Sequence, residues 1–296
     1  MNGFPEPGQI DLLIELAMRE DLGAGDVTSG LLIPEQALGE AVLVQRQAGV
    51  AAGLPVAAMV CRHYDPRLLV QDLCQAEGTF CPGPRPLLRF AGPLRSLLAA
   101  ERVVLNFLQH LSGVATLTRR FVQAVAGTPA RIYDTRKTTP GMRLLEKYAV
   151  RCGGGHNHRM GLYDAVLVKD NHLATLPPQR IGPFLRDVVQ RSRREDPRRT
   201  IEVEVDTLQQ LQQVLGVEGI DIILLDNMDC ASMRQAVRMR DEAGLKGALE
   251  LEASGGVTLQ TVREIAQAGV ERIAVGAITH SAPALDIGLD LRAGAP

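Results

Sequence analysis

Six short apolar runs in the second half of the chain constrain its fold more than any other feature. They cover residues 131–138, 165–172, 200–207, 220–227, 249–257 and 272–280, and helical patterns separate them. Successive runs begin about 20 to 35 residues apart, which is the length of a βα repeat. Such alternation predicts a parallel sheet, either an α/β barrel or a doubly wound sheet.

The ends of these runs favour the barrel. The residues there are Arg136 and Lys137, Lys169 and Asp170, Glu204 and Asp206, Asp226 and Asn227, Ser254 to Gly256, and Gly276 followed by His280. In a barrel the carboxyl ends of all strands meet at one mouth, whereas a doubly wound sheet concentrates its site at one switch point. A single polar strand end is most simply the start of a loop, but six together predict a functional site at a barrel mouth.

The first part of the chain has a different pattern. A helical pattern covers residues 10–20, and β-like runs cover residues 40–47 and 68–77, with Pro and Gly punctuation between the elements. This pattern predicts a small α+β domain over residues 1–112, to which residues 281–296 return. The barrel domain is predicted over residues 113–280.

Composition excludes several classes of protein. With 46% hydrophobic and 22% charged residues, the chain is neither disordered nor fibrous. A net charge of -2 and the absence of Trp leave little to hold a nucleic acid. The first residues lack a basic and apolar leader, and the longest apolar stretch, residues 48–61, is too short to cross a bilayer. We expect no nucleic acid and no membrane partner.

The cysteines indicate a reducing compartment. They are Cys61, Cys74, Cys81, Cys152 and Cys230. Their number is odd and no CxxC pair occurs, so neither a disulfide framework nor a zinc knuckle is predicted. We expect a cytoplasmic protein.

Charge along the predicted barrel is unevenly distributed. Residues 131–172 carry eight Lys or Arg against four acids, whereas residues 200–229 carry seven acids and no Lys or Arg. A basic side suits a substrate with several carboxylates or phosphates, and an acidic side suits a divalent cation or a developing positive charge. The sequence therefore predicts an anionic substrate used with magnesium. Glu204 and Asp226 end buried strands, where an unpaired charge is costly, so each is expected to have a partner.

Glycines at the last two strand ends predict phosphate binding. Ser254-Gly255-Gly256 and Gly276-Ala277 each precede a helix or turn whose free backbone N–H groups could hold a phosphate. Dinucleotide and P-loop signatures are absent from the sequence. Two weaker alternatives stay open at this point, namely a zinc site at His156 and His158 and a Schiff-base lysine at Lys169.

Several longer motifs resemble a known family. They are EDLGAGDVTS at residues 20–29, ERVVLNFLQHLSG at 101–113, DTRKTTPGMR at 134–143, EKYAVRCGGGHNHRMGL at 146–162, VKDNH at 168–172, LLDNM at 224–228, EASGGV at 252–257 and VGAITHS at 275–281. Their order and spacing closely resemble those of the quinolinate phosphoribosyltransferases. The resemblance covers nearly the whole chain and is far more specific than a lone glycine motif.

The resemblance implies an activity, a fold and an assembly. The activity is the reaction of quinolinate with phosphoribosyl pyrophosphate to give nicotinate mononucleotide, pyrophosphate and CO2, with magnesium and no organic cofactor, in NAD biosynthesis. The fold is an α/β one, an incomplete (β/α) barrel with an N-terminal α+β open-sandwich domain. The assembly is a homodimer whose active site is shared across the interface, with assembly beyond the dimer left open.

The resemblance also implies roles for individual residues. Arg136, His158, Arg159 and Lys169 resemble the quinolinate pocket, with Lys137 alongside and Arg102 delivered from the neighbouring subunit. Glu204 and Asp226 resemble the pair at the magnesium and pyrophosphate end, and Lys137 is expected to neutralise the leaving group. Ser254, Gly255, Gly256, Gly276, Ala277 and His280 resemble the phosphate loops. Glu202 lies on the same strand face as Glu204, and Glu204 is preferred for its distance from Asp226.

Two rival functions stay open from the sequence. The first is a related barrel enzyme that acts on another base, against which the intact DTRKT and HNHR segments argue because they supply the cations that a dicarboxylate needs. The second is a phosphosugar-binding protein without catalysis. The joint presence of Lys137, Lys169, Glu204 and Asp226 argues against it.

Overall fold

A computed structural model describes residues 4–72, 77–173 and 176–292, apart from the side chain of Pro178. Cys74, part of the predicted strand 68–77 and the last four residues of the predicted return 281–296 lie outside the described residues. No helix among those described is both long enough and apolar enough to cross a bilayer.

Helices and strands follow one another along the chain as follows. The first part contains α1 (Pro7–Leu22), α2 (Val27–Leu32), β1 (Leu38–Gln45), β2 (Gly49–Val50), α3 (Leu54–Tyr64), β3 (Leu69–Asp72), β4 (Phe80–Cys81), β5 (Arg85–Pro93) and α4 (Leu94–Ala124). The remainder contains β6 (Arg131–Tyr133), α5 (Arg143–Cys152), β7 (Val166–Val168), α6 (Asp170–Leu173), α7 (Pro178–Glu195), β8 (Ile201–Val205), α8 (Leu208–Leu215), β9 (Ile222–Asp226), α9 (Cys230–Glu242), β10 (Glu250–Ser254), α10 (Val262–Gln267), β11 (Arg272–Ala274), α11 (Ala277–His280) and β12 (Ile287–Arg292).

Contacts divide the chain into two compact units. The first comprises Met1–Arg119, Thr138–Gly154 and Ile278–Pro296, and the second comprises Arg120–Lys137 and Gly155–Ala277. The first unit therefore includes α5, which lies between two barrel strands in the sequence. The domain boundary after residue 112, inferred from the sequence, stays a prediction.

The first unit is built on an antiparallel sheet in the order β12-β1-β5-β3. Its interior comes from alternate residues of the central strands, among them Ala41, Leu43, Leu88 and Phe90. The predicted helix over residues 10–20 is confirmed by α1, which buries Ile10 and Ile14 four residues apart on one face. The described part of the predicted return joins the sheet as β12, antiparallel to β1.

Helix α5 is fixed to α4 within the first unit. Nε2 of His110 lies 2.8 Å from Oε1 of Glu146, whose side chain is fully buried. Gly153, at the end of α5, passes so close to α4 that a Cβ atom there would collide with the carbonyl oxygen of Ala115. These contacts explain why residues 138–154 belong to the first unit.

The second unit is built on a six-stranded parallel sheet in the order β6-β11-β10-β9-β8-β7. Each of the six predicted apolar runs contains one of these strands, so the prediction of a parallel α/β sheet is confirmed. The first strand, β6, pairs with the last, β11, as in a barrel. No pairing between β6 and β7 is found among the described residues, so the barrel is incomplete.

Strand register places unusual charge on one face of this sheet. Glu202 and Glu204 lie opposite Ile222 and Leu224, Glu252 also lies opposite Leu224, and Arg272 lies opposite Glu252. Because side chains alternate along a strand, these charged residues share one face, whereas Val203, Ile223, Leu251 and Ile273 lie on the other. The second set is fully buried and apolar. One face therefore supplies a conventional core, and the other supplies ionisable groups.

Side-chain caps start the helices that follow the acidic strands. The hydroxyl of Thr207 accepts a hydrogen bond from the N–H of Gln210 at the start of α8, and Gln210 completes a capping box. The carboxylate of Asp229 accepts from the N–H of Ser232 at the start of α9. These caps end the loops after β8 and β9 within a few residues, which holds the strand ends in place.

Candidate active site

A lysine and a glutamate form an ion pair at the carboxyl ends of β7 and β8. Nζ of Lys169 donates to Oε2 of Glu204 at 2.7 Å. The Glu204 side chain is only 8% exposed and the Lys169 side chain is 44% exposed, so the pair joins the sheet interior to solvent. The expectation that Glu204 has a partner is confirmed. Nζ of Lys169 is held by a carboxylate and is not presented as a nucleophile, so the aldolase alternative gains no support.

The ends of β9 and β10 are held together by backbone contacts. Asp226 ends β9 opposite Ser254, and its Oδ2 accepts from Nδ2 of Asn227 at 2.9 Å. The N–H of Asn227 donates to the carbonyl oxygen of Ser254 at 2.9 Å, and Asn227 has a positive φ of 51°. Gly255 has a φ of 97°, and a Cβ atom there would collide with Oδ1 of Asn227. Only glycine fits this position without displacing the neighbouring strand end.

A basic group follows β6. Arg136 and Lys137 lie in the loop after the strand, which ends at Tyr133, and Lys137 is exposed. Burial lowers the pKa of the Arg159 guanidinium, and the positive charge of nearby Arg136 lowers it further, against the opposing effects of Glu202 and Asp164. The repulsion between the two guanidinium groups is one that a bound anion would relieve.

The segment that carries His158 and Arg159 lies beside β6. The N–H of His156 donates to the carbonyl oxygen of Ile132 at 2.8 Å, and the N–H of Asp134 donates to the carbonyl oxygen of His156 at 3.1 Å. The carboxylate of Asp134, fully buried, accepts from Nδ2 of Asn157 at 2.6 Å and from the N–H of His158 at 2.9 Å. Asp134 therefore fixes the backbone from which His158 and Arg159 project.

His158 lies against the charged face of the sheet. Its Nε2 is 2.9 Å from Oε2 of Glu202 and 3.4 Å from Oε1 of Glu252. Nε of Arg272 donates to Oε2 of Glu252 at 2.6 Å, and the guanidinium lies 3.6 Å from the centre of the Tyr133 ring. The four ionisable residues, which we call the buried charge cluster, are His158, Glu202, Glu252 and Arg272.

The buried charge cluster perturbs the pKa of its members. Burial alone lowers the pKa of the His158 imidazole, but hydrogen bonds to Glu202 and Glu252 outweigh that effect and raise it to about 9. Burial and the neighbouring Glu252 raise the pKa of the Glu202 carboxyl. Burial raises the pKa of the Glu252 carboxyl too, but the contacts with His158 and Arg272 lower it on balance. The Glu252 carboxylate is therefore held charged by His158 and Arg272.

Two groups of residues could hold a metal. His158, Glu202 and Glu252 each offer one ligand atom within 4.8 Å of the others. That group contains a nitrogen and adjoins the Arg272 guanidinium, whereas magnesium prefers oxygen ligands and retains several waters. Glu204 and Asp226 offer carboxylate oxygens at the ends of adjacent strands, the ligand type that magnesium prefers. His156 stacks on Tyr133 and is not part of the described ligand group, so the zinc alternative gains no support.

Comparison with known proteins identifies the family. Family models described as the C-terminal and N-terminal domains of quinolinate phosphoribosyl transferase match residues 114–290 and 26–112. The chain is 42% identical to the nicotinate-nucleotide pyrophosphorylase (carboxylating) of Mycobacterium leprae, over 94% of this chain and 95% of that protein. The chain belongs to the quinolinate phosphoribosyltransferase family.

Solved structures agree with the sequence comparison. The nicotinate-nucleotide pyrophosphorylase of Francisella tularensis superposes with a TM-score of 0.88 at 33% identity, covering 98% of each chain. The enzyme of the same name from Ehrlichia chaffeensis superposes with a TM-score of 0.83 at 36% identity, covering 95% of this chain and 98% of that one. The incomplete barrel and the separate antiparallel sheet are therefore the fold of quinolinate phosphoribosyltransferases.

Most residues singled out from the sequence lie in the second unit of this family member. They are Arg136, Lys137, His158, Arg159, Lys169, Glu204, Asp226, Ser254, Gly255, Gly256, Gly276 and Ala277. Arg102 and His280 belong to the first unit, where Arg102 is exposed on α4. Nδ1 of His280 lies 2.6 Å from Oγ of Ser281.

Sequence reasoning missed three residues that support the site. Asp134 and Glu252 enter the sequence analysis only as the first residues of two motifs, and Arg272 only as the first residue of an apolar run. A signal was present for Glu252, because acids alternate with apolar residues in β10 as they do in β8. Acids on the same face of two nearby buried strands require a cation, and the register shows that Arg272 supplies it.

Proposed function

We propose that this protein is a decarboxylating quinolinate phosphoribosyltransferase, which forms nicotinate mononucleotide, pyrophosphate and CO2 from quinolinate and phosphoribosyl pyrophosphate in NAD biosynthesis. The observation that carries the proposal is the pairing of Lys169 with Glu204 on neighbouring strands. This pair joins a group of cations suited to a dicarboxylate to a row of carboxylates suited to a magnesium-bound pyrophosphate. Relatives named nicotinate-nucleotide pyrophosphorylase (carboxylating) and quinolinate phosphoribosyltransferase (decarboxylating) support it.

The quinolinate pocket is assigned to cations around the ends of β6 and β7. Arg136, Arg159 and Lys169 would bind the two ring carboxylates, with Lys137 alongside, because guanidinium groups hold carboxylates bidentately. His158 is added by the family resemblance, and Arg102 of the partner subunit would complete the pocket. Mutual repulsion between Arg136 and Arg159 supports an anion between them.

Calorimetry tests this assignment directly. Quinolinate should bind, and nicotinate, which lacks one carboxylate, should bind about 10- to 150-fold more weakly, because the net loss of one charged hydrogen bond costs about 1.5–3 kcal/mol. Equal affinity for the two ligands would remove the dicarboxylate assignment. Absence of quinolinate binding would favour the related enzyme that acts on another base.

The pyrophosphate end is assigned to Glu204 and Asp226. Both lie on the face of the sheet that carries the ionisable groups, at adjacent strand ends. Glu202 is the less suitable carboxylate because it lies deeper in β8, where it contacts His158, whereas Glu204 is nearer the carboxyl end of the strand. Magnesium, when bound by these carboxylates and the substrate, would neutralise charge on the pyrophosphate.

The reaction needs little covalent chemistry from the protein. The cation pocket orients the pyridine ring so that its nitrogen attacks the anomeric carbon of the ribose as the bond to pyrophosphate breaks. Glu204 and Asp226 stabilise the positive charge that develops on the ribose, and Lys137 neutralises the departing pyrophosphate. The ring nitrogen, now cationic, stabilises the carbanion that CO2 leaves at the adjacent carbon, and a proton then takes the vacated position.

The phosphate loops are assigned to Ser254, Gly255 and Gly256, to Gly276 and Ala277, and to His280.

Replacing Gly255 by Ala should raise the KM for phosphoribosyl pyrophosphate about tenfold, because the new methyl group displaces Asn227 and with it the end of β9. Steady-state kinetics checks this. Gly244→Ala is the matched control, because Gly244 also has a positive φ, of 74°, but has open space at its Cβ. An equal effect of both variants would assign the loss to backbone strain alone.

We also propose a homodimer in the cytoplasm. Exposed apolar residues of α2 and β1 in the first unit support an interface; they are Val27, Leu31, Leu32 and Leu38. Light scattering should give twice the 32.0 kDa mass of one chain. The described cysteines are unpaired thiols, as is usual in a reducing compartment.

A further inference from the structure

Both ring nitrogens of His158 are already engaged within the protein. Nδ1 accepts a hydrogen bond from the backbone N–H of Arg159 at 2.7 Å. Nε2 lies 2.9 Å from Oε2 of Glu202, and the His158 side chain is only 10% exposed. An imidazole has no other hydrogen-bonding atom, so no polar atom of this ring remains for a substrate carboxylate.

The contact with Arg159 identifies the protonation state of the ring. Nδ1 can accept from the Arg159 N–H only when it carries no proton, so the contact belongs to the ring protonated on Nε2 alone, which donates towards Glu202. A second proton on Nδ1, which the carboxylates of Glu202 and Glu252 favour, would break the contact with Arg159. Because Nε2 donates towards Glu202, the orientation of the ring is set by the sheet.

On the sheet side of the ring, Arg272 holds the Glu252 carboxylate in place. Glu252 is fully buried on β10, and its second oxygen accepts from Nε of Arg272. Arg272 is held by the Tyr133 ring and lies 3.3 Å from Glu250 through Nη1. These side chains project from paired strands, which makes them a rigid support.

In front of the ring, the supported group is the backbone of Arg159. Asp134 holds the N–H of His158, and the imidazole holds the next N–H, that of Arg159. Nη1 of Arg159 also lies 3.4 Å from the carbonyl oxygen of Ala165. The direction in which the guanidinium leaves the chain thus depends on His158.

We propose that His158, held by Glu202, Glu252 and Arg272, is a positioning residue that aims Arg159 at the dicarboxylate and does not itself touch the substrate. The inference rests on the proposed function and replaces the direct contact that the family resemblance implies for His158. The imidazole contacts Glu202 on the rigid sheet through Nε2 and the Arg159 N–H through Nδ1. It therefore restricts the direction in which the Arg159 guanidinium can point.

The first test needs no substrate. Backbone NMR spectra should show the Arg159 amide resonance displaced in His158→Gln and in the volume-conserving Glu252→Gln, because each variant disturbs the acceptor at that N–H. Glu252→Gln keeps the test open if His158→Gln fails to fold. An Arg159 amide that is unchanged in a folded variant would overturn the proposal. His63→Gln, a change at an exposed histidine on α3, is the matched control and should leave the amide unchanged.

The second test is a double-mutant cycle on quinolinate affinity measured by calorimetry. His158→Gln should raise the Kd about tenfold in the otherwise unchanged protein, because Arg159 loses its orientation. In the Arg159→Ala background the same change should raise it less than about twofold, and the KM for phosphoribosyl pyrophosphate should stay within about twofold of the parent. Equal tenfold effects in both backgrounds would show a direct contact and overturn the proposal.

The two tests separate this inference from the proposed function. A protein that binds no quinolinate would contradict the proposed function, while the Arg159 amide would still decide whether His158 fixes that backbone. Conversely, strong quinolinate binding with additive effects would support the proposed function and contradict the positioning role.

Discussion

Replacing Lys137 by alanine is expected to lower the turnover of nicotinate mononucleotide formation by about 100-fold or more, the scale seen when one preorganised electrostatic donor is removed. Lys137 follows β6 at the carboxyl edge of the sheet and is exposed, so truncation leaves no cavity in the core. Its proposed task is to neutralise pyrophosphate as that group departs. This interaction strengthens in the transition state, so kcat should fall far more than substrate affinity.

Single-turnover kinetics with purified protein checks the Lys137 prediction. Lys246→Ala is the matched control, because Lys246 is also exposed and has only a 3.8 Å ion pair with Asp241. We expect unchanged turnover in that control. A loss smaller than threefold in Lys137→Ala would remove Lys137 from leaving-group stabilisation and leave it as part of the basic surroundings.

Replacing Arg272 by methionine is expected to destabilise the protein by about 3–5 kcal/mol, the usual cost of removing one partner of a buried ion pair. Glu252 is fully buried, and Arg272 is the cation that donates to its Oε2. Methionine nearly fills the same volume, so the loss should reflect the uncompensated charge and not a cavity. The variant also loses the stacking of the guanidinium on Tyr133.

Arg131→Met is the matched control for Arg272→Met. Arg131 lies opposite Arg272 in the neighbouring strand and also pairs with Glu250, but its side chain is 46% exposed. An exposed pair of this kind contributes about 0–1 kcal/mol. Urea unfolding followed by circular dichroism compares the two variants. Similar losses in both would mean that burial of Glu252 does not make its cation essential.

The sheet could be predicted from the sequence because its strands are apolar runs of a fixed spacing. The strands themselves are shorter than the runs: β6 ends at Tyr133 although the run continues to residue 138. The remaining residues of that run, 134–138, are polar and include Arg136 and Lys137 of the proposed site, so the run and the site overlap. The positions of Lys169, Glu204 and Asp226 at strand ends followed from the same pattern.

The buried charge cluster could not be predicted because it depends on strand register and order. Glu252 and Arg272 are 20 residues apart in the sequence, yet they lie opposite each other in neighbouring strands. Similarly, Glu202 and Glu204 share a face and differ only in depth, and the structure shows that one contacts His158 and the other Lys169. Individual substrate roles came from the family resemblance and not from the pattern of the residues.

The central claim is tested most directly by mixing purified protein with quinolinate, phosphoribosyl pyrophosphate and magnesium and following nicotinate mononucleotide with and without EDTA. We expect equal amounts of nicotinate mononucleotide and CO2 with magnesium and none after EDTA is added. Quinolinate that binds without any product would contradict catalysis by this chain, and product formation undiminished by EDTA would contradict the magnesium assignment to Glu204 and Asp226.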